Sequence, residues 1–187
     1  GTVWMWGSNQ SATMGEASFW GNNGPPGNVN ATPKQVQGLA GAKSIAVGNG
    51  HVAVLLADRT LRMWGHDGWG QIGIGTNGFY HPLPKKPAIT DVAAVYLVSN
   101  RTYAVKSDGT LWTWGLGGSG QLGDGPVETR TTPKQVLAGV QAAAAGYQRS
   151  LILKADGALW AVGYNRHGEL GDGTTVDREN PVPIMTG

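Results

Sequence analysis

The sequence contains no cysteine and few charged residues. The absence of cysteine from all 187 residues excludes disulfide bonds and cysteine–metal chemistry, but leaves the redox compartment open. Charged residues make up 14% of the chain, against about 25% in ordinary soluble domains, and the formal net charge is +2. So small a charge gives no electrostatic footprint for nucleic acid, and we expect no nucleic-acid partner.

Long apolar runs and groupings of catalytic residue types are also missing. No run approaches the roughly 18 apolar residues of a membrane span, so we expect no membrane insertion. The four histidines are dispersed without metal-ligand spacing, and no serine lies in a G-x-S-x-G context. We therefore expect no enzymatic activity, no catalytic residue, no metal and no cofactor.

Glycine and tryptophan, by contrast, are abundant. Glycine accounts for 31 of the 187 residues, far above an average of about 7%, and there are eight tryptophans. Large apolar side chains at this level argue against disorder. Glycine at turns between short runs that carry aromatic residues is typical of proteins built from many short strands.

One stretch of sequence recurs along the chain. It reads LWTWGLGGSGQLGDG at 111–125, LRMWGHDGWGQIGIG at 61–75 and LWAVGYNRHGELGDG at 159–173, with a degenerate copy, VWMWGSN, from Val3. The glycines that end its first strand, 58, 50 and 48 residues apart, are Gly7, Gly65, Gly115 and Gly163. Such a period indicates a propeller or a solenoid. We treat 1–187 as one propeller segment with repeat units 2–59, 60–109, 110–157 and a partial unit 158–187.

Each unit has two halves. The first half is a strand, a variable loop, a glycine-rich turn and a proline segment, TPKQV at 32–36 and again at 132–136. The second half is a pair of short strands, followed by Asp-Gly at 108–109 and 156–157, a strong hairpin signal. The strands carry bulky residues on both faces, as radially packed sheets require, and no stretch keeps a helical period. These patterns predict an all-β fold.

The repeats resemble those of the regulator-of-chromosome-condensation family. The resemblance rests on WGLGGSGQLGDG, WGHDGWGQIGIG, VGYNRHGELGDG, the TPKQV segments and IAVGNGHVAVL, and covers nearly the whole chain. It implies a β-propeller of four-stranded blades, here about 3.5 blades of a typically seven-bladed ring. The G-x-x-H pattern of the family is present at 48–51, but the next two copies end in Arg101 and Arg149.

A chain of this length is too short to close a seven-bladed ring, which needs roughly 350 residues at about 50 per blade. Open sheet edges and uncovered blade faces are prone to association. We therefore expect the remaining blades to come from a longer chain of which this sequence is a part, or else from a partner or from self-assembly.

Binding residues are expected where the copies of the repeat differ. Equivalent loops of successive blades lie side by side on one rim, and loops held by a rigid scaffold commonly carry binding residues. The loop that follows the strand-ending glycine has no aromatic or charged residue at Leu116–Ser119. In the neighbouring copies the same loop is rich in aromatic and basic residues. The candidate partner-binding residues, all of types favoured at interfaces, are Phe19, Trp20, His66, Trp69, Phe79, Tyr80, Tyr164, Arg166 and His167.

Other repeated residues are interpreted as structural. Gln71, Gln121 and Glu169 share one place in the repeat, where a side chain is expected to hydrogen-bond the loop backbone. Asp124 and Asp172 lie in Gly-Asp-Gly turns and are expected to bond their own backbone, with calcium ligation as the alternative. The tryptophans before the glycine stops recur with the blade period and are expected in the core.

The leading functional hypothesis is a non-catalytic module that presents its rim loops to a partner protein, since propellers of the resembled family commonly act as interaction platforms. One alternative is glycan binding, in which exposed Trp20, Trp69 and Tyr80 stack on sugar rings. Another is guanine-nucleotide exchange on a small GTPase, which some family members perform. Low charge, high glycine content and absent cysteine favour a bacterial extracellular or cell-surface protein, while a cytoplasmic location stays open.

Overall fold

A computed structural model of the chain describes residues 1–15, 29–125 and 127–187. All the regular elements in these ranges are β-strands, which confirms the all-β prediction. The strands are β1 (Trp4–Ser8), β2 (Val29–Gln35), β3 (Ala42–Val47), β4 (His51–Leu56), β5 (Leu61–His66), β6 (Tyr80–Lys85), β7 (Val92–Val98), β8 (Arg101–Lys106), β9 (Leu111–Gly115), β10 (Arg130–Leu137), β11 (Val140–Ala145), β12 (Arg149–Lys154), β13 (Leu159–Gly163) and β14 (Arg178–Met185).

The strands form one two-stranded sheet and three four-stranded sheets, all antiparallel. We call β1–β2 the half-blade, β3–β6 blade 1, β7–β10 blade 2 and β11–β14 blade 3. Within each sheet the strands follow one another in chain order, and β7 lies against both β3 and β11. The arrangement is 3.5 blades of a β-propeller, as predicted.

The sequence repeat and the blade are offset by half a unit. The unit 60–109 supplies β5 and β6 to blade 1 and then β7 and β8 to blade 2. Each repeat therefore links two neighbouring blades covalently, and each blade is built from two successive repeats.

The proline segments form the last strand of each blade. Pro133 lies in β10, which pairs only with β9, and the β9–β10 register shifts between Arg130 and Lys134. Proline has no amide donor, so strands that contain it are tolerated at a sheet edge. The proline segments of blades 1 and 3, in β6 and β14, occupy the same edge position.

Successive residues of β4 enter two different cores. Val52 and Val54 pack towards the half-blade, whereas Ala53 and Leu55 pack towards blade 2, where they join Trp114. Side chains alternate between the faces of a strand, so a strand buried on both faces must carry apolar residues without interruption. An equivalent core joins blades 2 and 3.

A tryptophan anchors blade 1 to the half-blade and another anchors blade 2 to blade 1, whereas blade 3 has Val162 at this place. Trp64 Nε1 donates to the Thr13 carbonyl oxygen at 2.7 Å, and Trp114 Nε1 donates to that of Gln71 at 2.9 Å. Both rings are fully buried, which confirms their interpretation as core residues. That interpretation is wrong for Trp6, which is 61% exposed, because the half-blade is the first sheet of the described chain and no blade there covers its outer face.

The glycine at the end of each third strand is required by a close backbone approach. Gly65, Gly115 and Gly163 have φ values of 107°, 101° and 112°. A Cβ atom built on Gly115 would collide with the carbonyl oxygen of Asn100. A left-handed conformation and a backbone in contact together leave glycine as the residue that fits.

We expect Gly115→Ala to lower the free energy of unfolding by about 2 kcal/mol or more, since it adds backbone strain to a collision. Gly118→Ala is the matched control, because a Cβ there meets nothing within 4 Å, and its effect should stay within about 0.5 kcal/mol. Urea unfolding followed by tryptophan fluorescence measures both variants. Equal stabilities of the two variants would contradict this account.

Candidate binding rim

The loop after the third strand of each blade lies at the same sheet end as the turn between the first and second strands. Backbone hydrogen bonds join the two in every blade: His66 N to Gly50 O at 2.6 Å, Leu116 N to Asn100 O at 3.0 Å and Tyr164 N to Gln148 O at 2.9 Å. Neighbouring loops are also tied to the next blade, since Gly75 N donates to Thr131 O and Gly125 N to Glu179 O. We call this end of the sheets the loop rim.

A side-chain oxygen near the start of the loop holds its turn. Asp67 Oδ1 accepts the Ile72 N–H at 2.9 Å, and Asn9 and Asn165 make the same bond to the amide five residues later, at 3.0 and 2.9 Å. In blade 2 the place belongs to Gly117, where a Cβ would strike the backbone of Glu128. The first copy of the repeat, in the predicted unit 2–59, thus keeps this turn although the glycine-rich string of the other copies is absent from its sequence.

A second brace comes from the residue predicted to bond the loop backbone. Gln71, Gln121 and Glu169 each accept a hydrogen bond from the amide two residues earlier, at 3.0, 2.6 and 2.8 Å. The structural interpretation of this repeat position is confirmed. This second brace bonds the backbone amides of Trp69, Ser119 and His167, so it does not depend on which side chain each copy carries there.

The aspartates of the Gly-Asp-Gly turns form ion pairs with the start of the last strand. Arg130 Nε donates to Asp124 at 2.5 Å, and blade 3 repeats the pair at Asp172 with a distance of 2.7 Å. Hydrogen bonds, first from the neighbouring threonine and then from arginine, hold the pKa of Asp172 well below its usual value. In blade 1 Ile74 stands at the place of Asp124, and His81, which lies opposite Gly65 as Arg130 lies opposite Gly115, pairs with Asp67 instead. Among the described residues no group of three potential metal-binding side chains occurs, so the calcium alternative gains no support.

Four candidate residues lie around the β5–β6 loop, and we call them the blade 1 patch: His66, Trp69, Phe79 and Tyr80. The rings of His66 and Tyr80 meet edge to face with centroids 5.5 Å apart, and His66 Nδ1 lies 2.8 Å from Gln71 Nε2. Burial lowers the pKa of His66, so its ring is neutral at neutral pH. Trp69 is 43% exposed and Phe79 is 81% exposed. The patch therefore presents apolar aromatic surface to solvent.

Asp67 connects both ends of the loop that carries the blade 1 patch. Its side chain is fully buried, its Oδ2 lies 3.0 Å from His81 Nε2, and its amide donates to the Phe79 carbonyl oxygen at 3.0 Å. Burial raises the pKa of Asp67, and the Ile72 amide and His81 oppose that rise. His81 was not among the candidate residues, although its place in the sequence directly after Phe79 and Tyr80 could have indicated it.

Three further candidates form the blade 3 patch on the β13–β14 loop: Tyr164, Arg166 and His167. Tyr164 Oη lies 3.4 Å from His167 Nδ1, and their ring centroids are 6.0 Å apart. Arg166 Nε lies 3.5 Å from Asp177 Oδ2, and the side chains of Arg166 and His167 are mostly exposed. This patch is polar and basic where the blade 1 patch is apolar.

The structure thus groups seven of the nine candidates into two patches, with blade 2 between them. The remaining two, Phe19 and Trp20, lie outside the described residues. The seven described candidates share one rim, but they occupy alternate blades.

Between the two patches, the rim contains a cavity of about 300 Å³ that sequence analysis missed. The turns of all three blades line it, at Asn49, Asn100 and Tyr147, together with the loop of blade 2. Ser119 of that loop stands where the neighbouring copies have Trp69 and a histidine. The small side chains that made Leu116–Ser119 look uninformative therefore leave this space open.

The last position of the G-x-x-H pattern lies where two neighbouring blades meet. His51 is fully buried, and a Cβ at Gly48 would overlap its ring, so the glycine makes room for the histidine. In the next copy Arg101 is 1% exposed, and its Nη2 donates to the carbonyl oxygens of Gly146 and Tyr147 in blade 3, at 2.7 and 2.5 Å. The arginine that replaces the histidine thus has a structural role of its own.

The fold and the rim define a partial β-propeller whose rigid frame presents exposed loops on one end of its blades. A family model described as "Regulator of chromosome condensation (RCC1) repeat" matches residues 1–55, 108–153 and 156–187. A second model with the same description matches residues 140–169. The chain belongs to the RCC1 repeat family, as its sequence resemblance implied.

This chain aligns with only a part of the length of each similar protein. The mitochondrial RCC1 domain-containing protein RUG3 of Arabidopsis thaliana is 30% identical over 141 residues, 73% of this chain and 30% of the relative. The ultraviolet-B receptor UVR8 of the same plant is 30% identical over 128 residues, 64% of this chain and 29% of the receptor. The chain thus spans about a third of the length of these relatives.

Solved structures share the fold. Yeast RCC1 (Prp20), solved bound to Kap60, superimposes with a TM-score of 0.81 at 22% identity, over 100% of this chain and 45% of that one. Human WBSCR16 gives the same TM-score and identity over 97% of this chain and 46% of that one. The named relatives are eukaryotic and give no support to a bacterial, extracellular origin. No described segment forms a helix long and apolar enough to cross a membrane.

We expect Asp67→Ala to lower the free energy of unfolding by about 2 kcal/mol, because it removes the acceptor for the Ile72 amide and the partner of His81. Asp67→Asn should cost about half as much or less, since Asn9 and Asn165 accept the corresponding amide in two of the other copies. Urea unfolding measures both changes. If the asparagine variant were as unstable as the alanine variant, the loop brace would not be the reason for the loss.

We expect His51 to make the fold more stable at neutral pH than at acid pH. Burial lowers the pKa of His51 to about 4 from an ordinary 6.5, so the unfolded chain binds more protons between these values. The stabilisation is complete above pH 6.5 and falls by about 3 kcal/mol as the pH drops towards 4.

Urea unfolding at pH 4.5, 5.5 and 7 measures this dependence in the wild type and in His51→Gln. The variant should lose most of the pH dependence, whatever its stability at neutral pH. His167→Gln, which removes an exposed histidine, is the control and should keep the wild-type dependence. A wild-type dependence in His51→Gln would overturn the assignment.

Proposed function

We propose that this chain binds a partner protein through its loop rim, and that the blade 1 patch and the blade 3 patch make the contact. The observation that carries the proposal is the exposure of Trp69 and Phe79 on a loop whose backbone is braced by Asp67 and Gln71. A rigid loop loses little conformational entropy on binding, so apolar surface that it presents is available for affinity. Aromatic residues and arginine are the types that contribute most at protein interfaces.

The two patches suit different parts of one partner. The blade 1 patch offers exposed aromatic rings, which favour an apolar surface on the partner. The blade 3 patch adds Arg166 and His167 on the same rim, which favour polar or acidic groups. Partner binding by RCC1 propellers supports the proposal, since yeast Prp20 was solved bound to Kap60 and its binding to Gsp1p and histones has been described.

We expect Trp69→Ala/Phe79→Ala to weaken partner binding at least tenfold, because truncating well-placed interface aromatics commonly costs about 2 kcal/mol or more each. Partners are first captured from a lysate of the source organism with the full-length protein. The dissociation constant of each purified partner is then measured against the wild type, the double variant and Arg166→Ala/His167→Ala.

The matched control is Leu83→Ala/Met185→Ala, which removes exposed apolar side chains from the outer strands β6 and β14 instead of the rim. This control should bind as the wild type does. Equal weakening in control and rim variants would point to a loss of folding, and unchanged binding in both rim variants would refute the proposal.

Two experiments distinguish protein binding from the alternative functions that the sequence suggests. Glycan binding through Trp69 and Tyr80 predicts a glycan-array signal that Trp69→Ala abolishes, and no comparison supports it. Exchange-factor activity predicts faster nucleotide release from a small GTPase that the full-length protein binds. The location outside a bacterial cell stays a prediction, which fractionation of the source organism would test.

A further inference from the structure

We propose that the rim cavity of blade 2 is a binding site for a carboxylate group, received by the guanidinium of Arg101. Arg101 lines the cavity and is 1% exposed. Its Nη2 is used by two carbonyl oxygens of blade 3, while its Nε and Nη1 are buried without a hydrogen-bond partner in the described part of the chain.

A buried guanidinium with two unused donors is costly unless an acceptor reaches it. The groups described around the Arg101 guanidinium are neutral, namely the carbonyl oxygens of Gly146 and Tyr147 and the hydroxyl of Tyr103, and they leave its positive charge uncompensated. The described residues that line the cavity include neither aspartate nor glutamate. The missing element is therefore an acceptor that carries a negative charge, and carboxylates match the guanidinium geometry in one or two parallel hydrogen bonds.

The rest of the cavity is suited to such a group. Asn49, Asn100, Ser119 and Gln148 provide neutral hydrogen-bonding side chains around the charge. Tyr147 lies at the edge and is largely exposed, so it can pack on the carbon chain that carries the carboxylate. A volume of about 300 Å³ admits a small carboxylate or the side chain of an aspartate or glutamate.

Two substitutions taken from the chain's own repeat isolate the site. Val98→Gly/Arg101→His gives blade 2 the pattern of blade 1, where Gly48 makes room for the ring of His51, so the fold has a precedent for it. Ser119→Trp gives the loop of blade 2 the residue that blade 1 has at Trp69, and fills the cavity while Arg101 stays in place.

The experiment follows the side-chain Nε–H signals of the full-length protein, labelled with ¹⁵N-arginine, while acetate is added at constant ionic strength against chloride. We expect the Arg101 signal to shift and saturate, with a dissociation constant on the order of 10 mM for so small a probe. The Val98→Gly/Arg101→His variant identifies the Arg101 signal by its absence, and Ser119→Trp should keep that signal but lose the saturable change. Inorganic phosphate, added in a parallel titration, should shift the signal at least tenfold more weakly, because a doubly charged and strongly hydrated ion costs more to desolvate at a buried guanidinium than acetate does.

The outcomes are decisive in either direction. Saturation by acetate in the wild type together with its loss in Ser119→Trp supports a carboxylate site in the cavity. A shift that is linear in acetate, a shift shared equally by phosphate, or one that persists in Ser119→Trp overturns it. Arg149→His, on an exposed arginine at the same repeat position in blade 3, is the control and should leave the Arg101 titration unchanged.

Discussion

Every blade of this protein depends on its neighbour to bury a face. Apolar residues alternate along β4 into two different cores, so the sheet is stable only when another blade lies on each side. The indole N–H groups of Trp64 and Trp114 add a directed contact, since each needs a carbonyl oxygen from the preceding blade. Stability is therefore a property of the contacts between blades more than of any one sheet.

The ends of the described chain illustrate the same dependence. Leu151 and Leu153 of blade 3 are more than a third exposed, although the residues at their places in blades 1 and 2 are buried. Trp6 of the half-blade is exposed although Trp64 and Trp114 are not. These repeat positions thus carry apolar or aromatic residues in every copy, and they are buried only where a neighbouring blade covers them.

Substitutions between the copies occur in physically matched sets. Where Asp124 pairs with Arg130, blade 1 has Ile74 and His81, and His81 pairs with Asp67, so the loss of one carboxylate partner is matched by the gain of another. The brace made by Gln71, Gln121 and Glu169 remains in all three blades while the exposed side chains change. A frame that satisfies its own backbone groups can vary its surface at little cost in stability, which is the physical basis for binding by such loops.

Much of the architecture could be predicted from local sequence patterns. The period near 50 residues, the repeated glycines and the Asp-Gly turns predicted about 3.5 blades, because each copy makes the same local turns. The bond made by Gln71 and its counterparts spans two residues and was predictable for the same reason.

Contacts between blades were decided only in three dimensions. Arg101 bonds the carbonyl oxygen of Gly146, 45 residues away, and no local pattern encodes that pairing. The cavity beside Ser119 likewise exists because the turns of three different blades meet there, so a stretch that is uninformative as sequence lines a site. Sequence alone determined the repeated frame, whereas the packing of one repeat on the next determined which tryptophans are core, which candidates share a patch and where a buried charge lacks a partner.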